Sequence, residues 1–171
     1  IPMDIQSQIL KTEEETMPPM PESISWSCNT EISKLQQLDL DRLKESFKSA
    51  KRPVILVGNG LKLSHDGDGI RLIEEYCRDQ SIPIVSTYLA ADFFTNSCPN
   101  FLGVAGLKAA RRANIAIYNS DLIVSIGSRL ATSVIGFEYE KFAPNAEVFV
   151  VDIDSNEHAK QTRSSMILLQ I

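Results

Sequence analysis

The sequence is poor in the residues that carry overt chemistry. Of its 171 residues only three are cysteine, Cys28, Cys77 and Cys98, and two are histidine, His65 and His158. The cysteines are far apart and form no C-x-x-C pair. That argues against a zinc site or redox dithiol, and for reduced structural thiols in a cytoplasmic protein. The isolated histidines enter no Ser-His-Asp order and no metal cluster. Seventeen basic against 22 acidic side chains leave a net charge of −5 with no basic stripe, which excludes nucleic acid as a partner. No apolar run reaches the roughly 20 residues that a membrane span needs, and the start lacks the basic and apolar stretch of a signal peptide. The dinucleotide fingerprint G-x-G-x-x-G is missing too: after Gly58-Asn59-Gly60 come Leu61, Lys62 and Leu63, which disfavours a dehydrogenase-type NAD site. Asp66-Gly-Asp-Gly69 invites a calcium reading, but Ile70 stands at the fifth position of such a loop and Cys77 at its twelfth.

What is present is a chain of ordinary composition, 43% hydrophobic, with room for one domain and a full core. The organising stretch is Arg52-Pro-Val-Ile-Leu-Val-Gly-Asn-Gly60. Its unbroken apolar run at 54–57 predicts a strand buried on both faces, as in a parallel sheet covered by helices. Further runs at 84–87, 101–104, 122–126, 147–153 and 165–171 predict five more strands. Spacings of three and four predict helices over 38–50, with Asp39 as N-cap, over 66–80, and over 108–119, with Ala109, Ala113, Ile115 and Ala116 on its inner side. Shorter helices are expected at 89–95 and 156–161. Residues 9–38, with Pro18, Pro19, Pro21 and an acidic cluster at 13–15, read as an irregular linker that Ile24 and Trp26 could pin to the domain. The sum is an α/β fold, a three-layer α/β/α sandwich around a six-stranded, mostly parallel Rossmann-like sheet.

Ligands of open α/β sheets bind outside the carboxyl ends of the strands. Gly58-Asn59-Gly60, Thr87-Tyr88-Leu89, Gly127-Ser128-Arg129 and Asp152-Ile153-Asp154 all fall at such ends. Glycine amides can cradle a pyrophosphate, an arginine can pair with phosphate, and a strand-end acid can accept from ribose hydroxyls. The alternative is a set of ordinary turns.

In order and spacing, several segments resemble the central domain of thiamin-diphosphate-dependent enzymes of the acetolactate synthase type. They are Arg52–Gly60, Ile82-Pro-Ile-Val-Ser-Thr87, Leu102-Gly-Val-Ala-Gly106, Ala113-Asn114, Ser120-Asp-Leu-Ile-Val-Ser-Ile-Gly-Ser-Arg129, Glu140-Lys-Phe-Ala-Pro-Asn-Ala146 and Val151-Asp-Ile-Asp154. Ile1-Pro-Met-Asp-Ile-Gln6 is similar to the segment leaving that family's N-terminal domain, and with Ile1 in first place the chain reads as a fragment. The resemblance implies an interdomain segment and linker over 1–38 and a central domain of the DHS-like NAD/FAD-binding type over 39–171. It implies partner N- and C-terminal domains of the same polypeptide that hold thiamin diphosphate and Mg2+, and a homodimeric or homotetrameric enzyme acting on a 2-oxo acid by carboligation or decarboxylation. Alone, this chain would be inactive and would bind neither group. In relatives that bind FAD, or ADP as a regulator, the matching contacts would be Gly58, Gly60, Thr87, Leu89, Gly106, Gly127, Arg129, Asp152, Ile153 and Glu157. An empty cleft is the third possibility. FAD-binding synthases read Gly-Ala-Arg-Phe-Asp-Asp-Arg where this chain has Gly127-Ser-Arg-Leu-Ala-Thr-Ser133, and carry a histidine where Lys108 stands. Gly67-Asp-Gly69 with Asn96 mimics the family's metal motif G-D-G…N, but no buried strand precedes it. The rival readings are a free-standing nucleotide-binding module for FAD, ADP or NAD, and a silent interaction domain.

Overall fold

The computed structural model describes residues 37–64, 67–95, 97–154 and 166–170. Of the linker expected over 9–38, residues 9–36 lie outside the described residues, as do Cys28, His65, Asp66, Asn96, the helix expected at 156–161, Glu157 and His158, while Gln37 and Leu38 open a helix instead.

Helix α1 (Gln37–Ser49) leads into strand β1 (Pro53–Val57). Asp39 sits in the first turn of α1 rather than capping it, and Lys48 lies in the last, so both charges oppose the helix dipole. A one-turn helix α2 (Gly60–Leu63) and the amphipathic α3 (Gly67–Asp79) follow. Next come β2 (Ile84–Ser86), β3 (Phe101–Val104), α4 (Arg111–Asn119), β4 (Leu122–Ile126), one-turn α5 (Thr132–Ile135), β5 (Glu147–Asp152) and β6 (Met166–Gln170).

The strand order is β3-β2-β1-β4-β5-β6, and all five pairings are parallel. This is the doubly wound order, with its switch point between β1 and β4. The alternation of the strands divides the core. Val54, Leu56, Ile123, Val148 and Val150 face α4 and α5 through Ala113, Ile117 and Ile135. Ile55, Val57, Val124, Phe149 and Val151 face α1 and α3 through Leu43, Phe47, Ile73 and Cys77. Each such side chain, fully buried, stabilises by about 1.5–3 kcal/mol. Helices thus cover both faces, which is why the central strands read as unbroken apolar runs.

Three expectations are corrected. The helix at 89–95 is a single 3-10 turn, Tyr88–Ala90, followed by turns. The helix at 108–119 starts only at Arg111, because the Lys108 amide donates to the Tyr88 hydroxyl (2.8 Å) and the Ala110 amide to the Val104 carbonyl (3.0 Å). Its inner face holds Ala113 and Ala116 as expected and adds Ile117, while Ile115 is 50% exposed. Finally, β5 ends at Asp152 and leaves Ile153 outside the ladder. Gly67-Asp-Gly69 opens helix α3, and what precedes it is α2, not a strand. No helix among the described residues is long and apolar enough to cross a membrane.

Candidate functional site

The pairing of β1 with β4 sets their carboxyl-terminal loops side by side. Val57 and Ile126 are the last register partners, and the chain then turns at Gly58 and at Gly127. The Gly58 amide donates to the Ile126 carbonyl (2.8 Å), the Gly60 amide to the Gly127 carbonyl (2.9 Å) and the Gly127 amide to the Val151 carbonyl (2.9 Å). The two loops touch backbone to backbone. A Cβ on Gly58 would lie 2.2 Å from the Gly127 oxygen, and one on Gly127, whose φ is +61°, would lie 2.5 Å from the Leu61 nitrogen. These glycines serve the close approach of two loops. The amides of Gly58, Gly60 and Gly127, expected to cradle a pyrophosphate, all donate within the protein.

Beyond the switch point the loops surround a cavity of about 720 Å3. One wall is Asn59, Gly60, Leu63 and Ser64 from α2 and its approach; the opposite wall is Thr87, Tyr88 and Leu89. The third side is Gly127, Ser128, Arg129, Ala131, Ser133 and Val134, and Asp152, Ile153 and Asp154 complete it. Thr87 is held by its amide on the Val57 carbonyl (2.9 Å). The Ser128 hydroxyl accepts from the Leu130 amide (3.3 Å), and buried Leu130 adopts φ +43°, a left-handed turn that brings Arg129 to the cavity's edge. Asp152 is buried, and one of its carboxylate oxygens accepts from the Asp154 amide (3.0 Å). A clasp joins the first two walls: Lys62 pairs with Asp92 (3.0 Å) and lies 5.6 Å over the Phe93 ring. The hydrogen bond from Lys62 holds the Asp92 carboxyl below its usual range.

Of the ten expected site residues, Gly60, Thr87, Leu89, Gly127, Arg129, Asp152 and Ile153 share this cavity. Gly58 lies against Gly127 beneath the loops. Gly106 lies behind the wall of this cavity, against Ser133 and Tyr88. It lines a second cavity of about 650 Å3 between α4 and α5, clamped by Asn114, whose amide group accepts from the Gly106 N–H (3.0 Å) and donates to its carbonyl (2.8 Å). Glu157 lies outside the described residues. Sequence reasoning passed over Asn59, Tyr88 and Ser128 as site residues although they stand inside the quoted turns, and over Leu63 because α2 is too short to show a period.

The cavity's described lining residues include no cysteine or histidine. Among the described residues no group of three His, Cys, Asp or Glu could hold a metal ion. The arrangement can bind and orient a small molecule.

A doubly wound parallel sheet with a cavity at its switch point defines a nucleotide-type α/β domain. The comparison with known families then gives its place: the family of thiamine pyrophosphate enzyme central domains matches residues 40–170, and the chain belongs to it. A probable acetolactate synthase large subunit of Methanocaldococcus jannaschii is 26% identical over 97% of this chain and 27% of its own length. The acetolactate synthase large subunit of Lactococcus lactis is 33% identical over 81% of this chain and 24% of its own. The mitochondrial acetolactate synthase catalytic subunit of Saccharomyces cerevisiae is 31% identical over 85% and 21%. The chain thus spans about a quarter of the length of the curated relatives it matches. This does not favour a free-standing nucleotide module.

Proposed function

We propose that this chain is the non-catalytic central domain of an acetolactate-synthase-like enzyme, which forms or breaks a carbon–carbon bond beside the carbonyl of a 2-oxo acid. The observation that carries the reading is the family match over 40–170, together with the three relatives above, each named as an acetolactate synthase. Thiamin diphosphate with Mg2+ supplies the electron sink for such chemistry. In this reading both are held by N- and C-terminal domains of the same polypeptide, in a homodimer or homotetramer. Residues 1–38 form the interdomain segment and 39–171 the domain, of the DHS-like NAD/FAD-binding type. A cytoplasmic location agrees with Cys77 and Cys98 being free thiols.

This domain's own part is to spread a rigid sheet between its partners and to present the strand-end cavity, with Gly60, Thr87, Leu89, Gly127, Arg129, Asp152 and Ile153 as its contacts. The test is an assay of the whole polypeptide with thiamin diphosphate and Mg2+ on pyruvate and other 2-oxo acids. Cofactor-dependent loss of a 2-oxo acid, absent from the 171-residue chain alone, is expected. A whole polypeptide inert toward every 2-oxo acid would refute the reading.

A further inference from the structure

We infer that the strand-end cavity takes a neutral, hydroxylated, ring-bearing ligand of nucleoside size and disfavours a dinucleotide or nucleoside diphosphate. The inference rests on the cavity being a ligand site, as proposed above, and deepens it by naming the ligand class. FAD and ADP are the groups that the family resemblance implies here, and the residues present do not fit their diphosphate.

Three observations carry this. The first concerns donors. A diphosphate at a strand end is ordinarily met by free backbone amides. Here the amides of Gly58, Gly60, Leu61, Thr87 and Gly127 all donate to backbone carbonyls, the Leu130 amide donates to the Ser128 hydroxyl, and the Asp154 amide to Asp152. Gly106, the other expected contact, donates its amide to Asn114. Nor is there room at the glycines, since a Cβ on Gly60 would meet the Gly127 backbone at 2.8 Å and one on Gly106 the Ser133 oxygen at 2.5 Å. At these glycines the protein's own backbone stands where a phosphate oxygen would have to come close.

The second concerns the dipole. In a dinucleotide fold the helix after β1 points its N-terminus at the phosphates. In this chain β1 is followed by the four-residue α2, and the long helix α3 starts only at Gly67. Four residues align too few peptide dipoles to attract an anion.

The third concerns charge. Among the described lining residues Arg129 is the one cation, against the two carboxylates of Asp152 and Asp154 in the same lining. That lining repels a second negative charge. It suits hydroxyl groups instead, because a carboxylate has about four acceptor positions and Asp152 uses one on the Asp154 amide. Around it Leu63, Tyr88, Leu89 and Ile153 keep large apolar surface exposed at the rim, between 41% and 76%. Those four side chains can hold a flat ring while Asp152 accepts from a vicinal diol.

The experiment is calorimetric titration of the 171-residue chain with two matched pairs, adenosine against ADP and riboflavin against FAD, at low salt. Each pair differs in its phosphates, and the wild-type ranking needs no variant to fold. The expected result is that the neutral member of at least one pair binds at least tenfold more tightly than its phosphorylated partner. Asp152→Asn, nearly isosteric, should weaken that binding about tenfold. ADP or FAD binding more tightly than its neutral partner would overturn this inference while leaving the cavity a nucleotide site. A binding constant unmoved in Asp152→Asn would overturn the role of Asp152. No heat with any of the four would remove the cavity as a ligand site, and the reading of its contacts with it, without touching the family assignment.

Discussion

Gly58 shows how much one missing methyl group decides. Its φ is not in the left-handed region, so the reason for glycine there is space alone: the Gly127 oxygen at 2.2 Å and Ser128 Cα at 2.6 Å from where a Cβ would stand. Both neighbours are strand-end backbone and cannot rotate away. Gly58→Ala should destabilise by about 3 kcal/mol or more, the upper end of overpacking effects. Gly136→Ala is the control. Its Cβ would meet nothing nearer than 3.9 Å and would suffer only the strain of φ +81°, of order 1–3 kcal/mol. Urea melts of both variants settle the matter, and a Gly58→Ala no less stable than Gly136→Ala would disprove the loop contact. Cys77 makes a second argument at this scale. Burial, and then the neighbouring Cys98, push its thiol up to about 12. The native state therefore keeps a proton that the unfolded chain gives up near pH 9. Between those values the unfolded state binds fewer protons, so stability falls as pH rises, by roughly 1.4 kcal/mol per unit. Cys77→Ala should flatten that part of the stability–pH curve, and an unchanged slope would show the thiol to be accessible.

At the scale of elements, the central strands were legible because a strand covered on both faces reads as an unbroken apolar run. Val54 to Val57 and Leu122 to Ile126 fall where that run predicts. The one-turn helices α2 and α5 were not, since four residues carry no 3.6-residue period. Nor was the start of α4, which tertiary bonds from Lys108 and Ala110 delay by one turn. The candidate site was half legible. Strand ends give its position, but which amides remain free depends on the partner loop, and nothing in Gly58-Asn59-Gly60 foretells that Gly127 will sit against it. One link between elements can be tested directly. Asp121, opening β4, accepts from the amides of Lys51 and Arg52, both at 2.8 Å, and so ties the turn before β1 to its neighbour. Partial burial works upward on its carboxyl, but those amides outweigh it and the net shift is downward. Its contribution is thus present above the ordinary carboxylate range and is lost as pH falls through the lowered native value. Asp121→Ala should destabilise at pH 7 by about 1 kcal/mol, because both amides are exposed and water can take the place of the lost acceptor. The gap from wild type should shrink in acid, and a gap independent of pH would refute the tie.

At the scale of the whole molecule the question is what a chain spanning about a quarter of its relatives' length can do by itself. The described residues supply a covered sheet, a cavity at its switch point and no three-ligand metal group. In the proposed reading thiamin diphosphate would be held with Mg2+ through a G-D-G…N motif of another domain. The one sequence match to such a motif, Gly67-Asp-Gly69, opens an exposed helix in which Asp68 pairs with Arg71 at 3.2 Å. The strand-end glycine amides of Gly58, Gly60 and Gly127 are already engaged. The 171-residue chain should therefore show no thermal response to thiamin diphosphate with Mg2+. The comparison is sensitive, because a ligand present at a hundred times its Kd stabilises a protein by about 2.7 kcal/mol. For a domain of this size that raises Tm by roughly 5–10 °C. A shift below about 1 °C at millimolar cofactor is the expected outcome, with the whole polypeptide responding under the same conditions. A shift of several degrees in the short chain would mean that this domain holds the cofactor itself, and the division of labour among the domains would have to be redrawn.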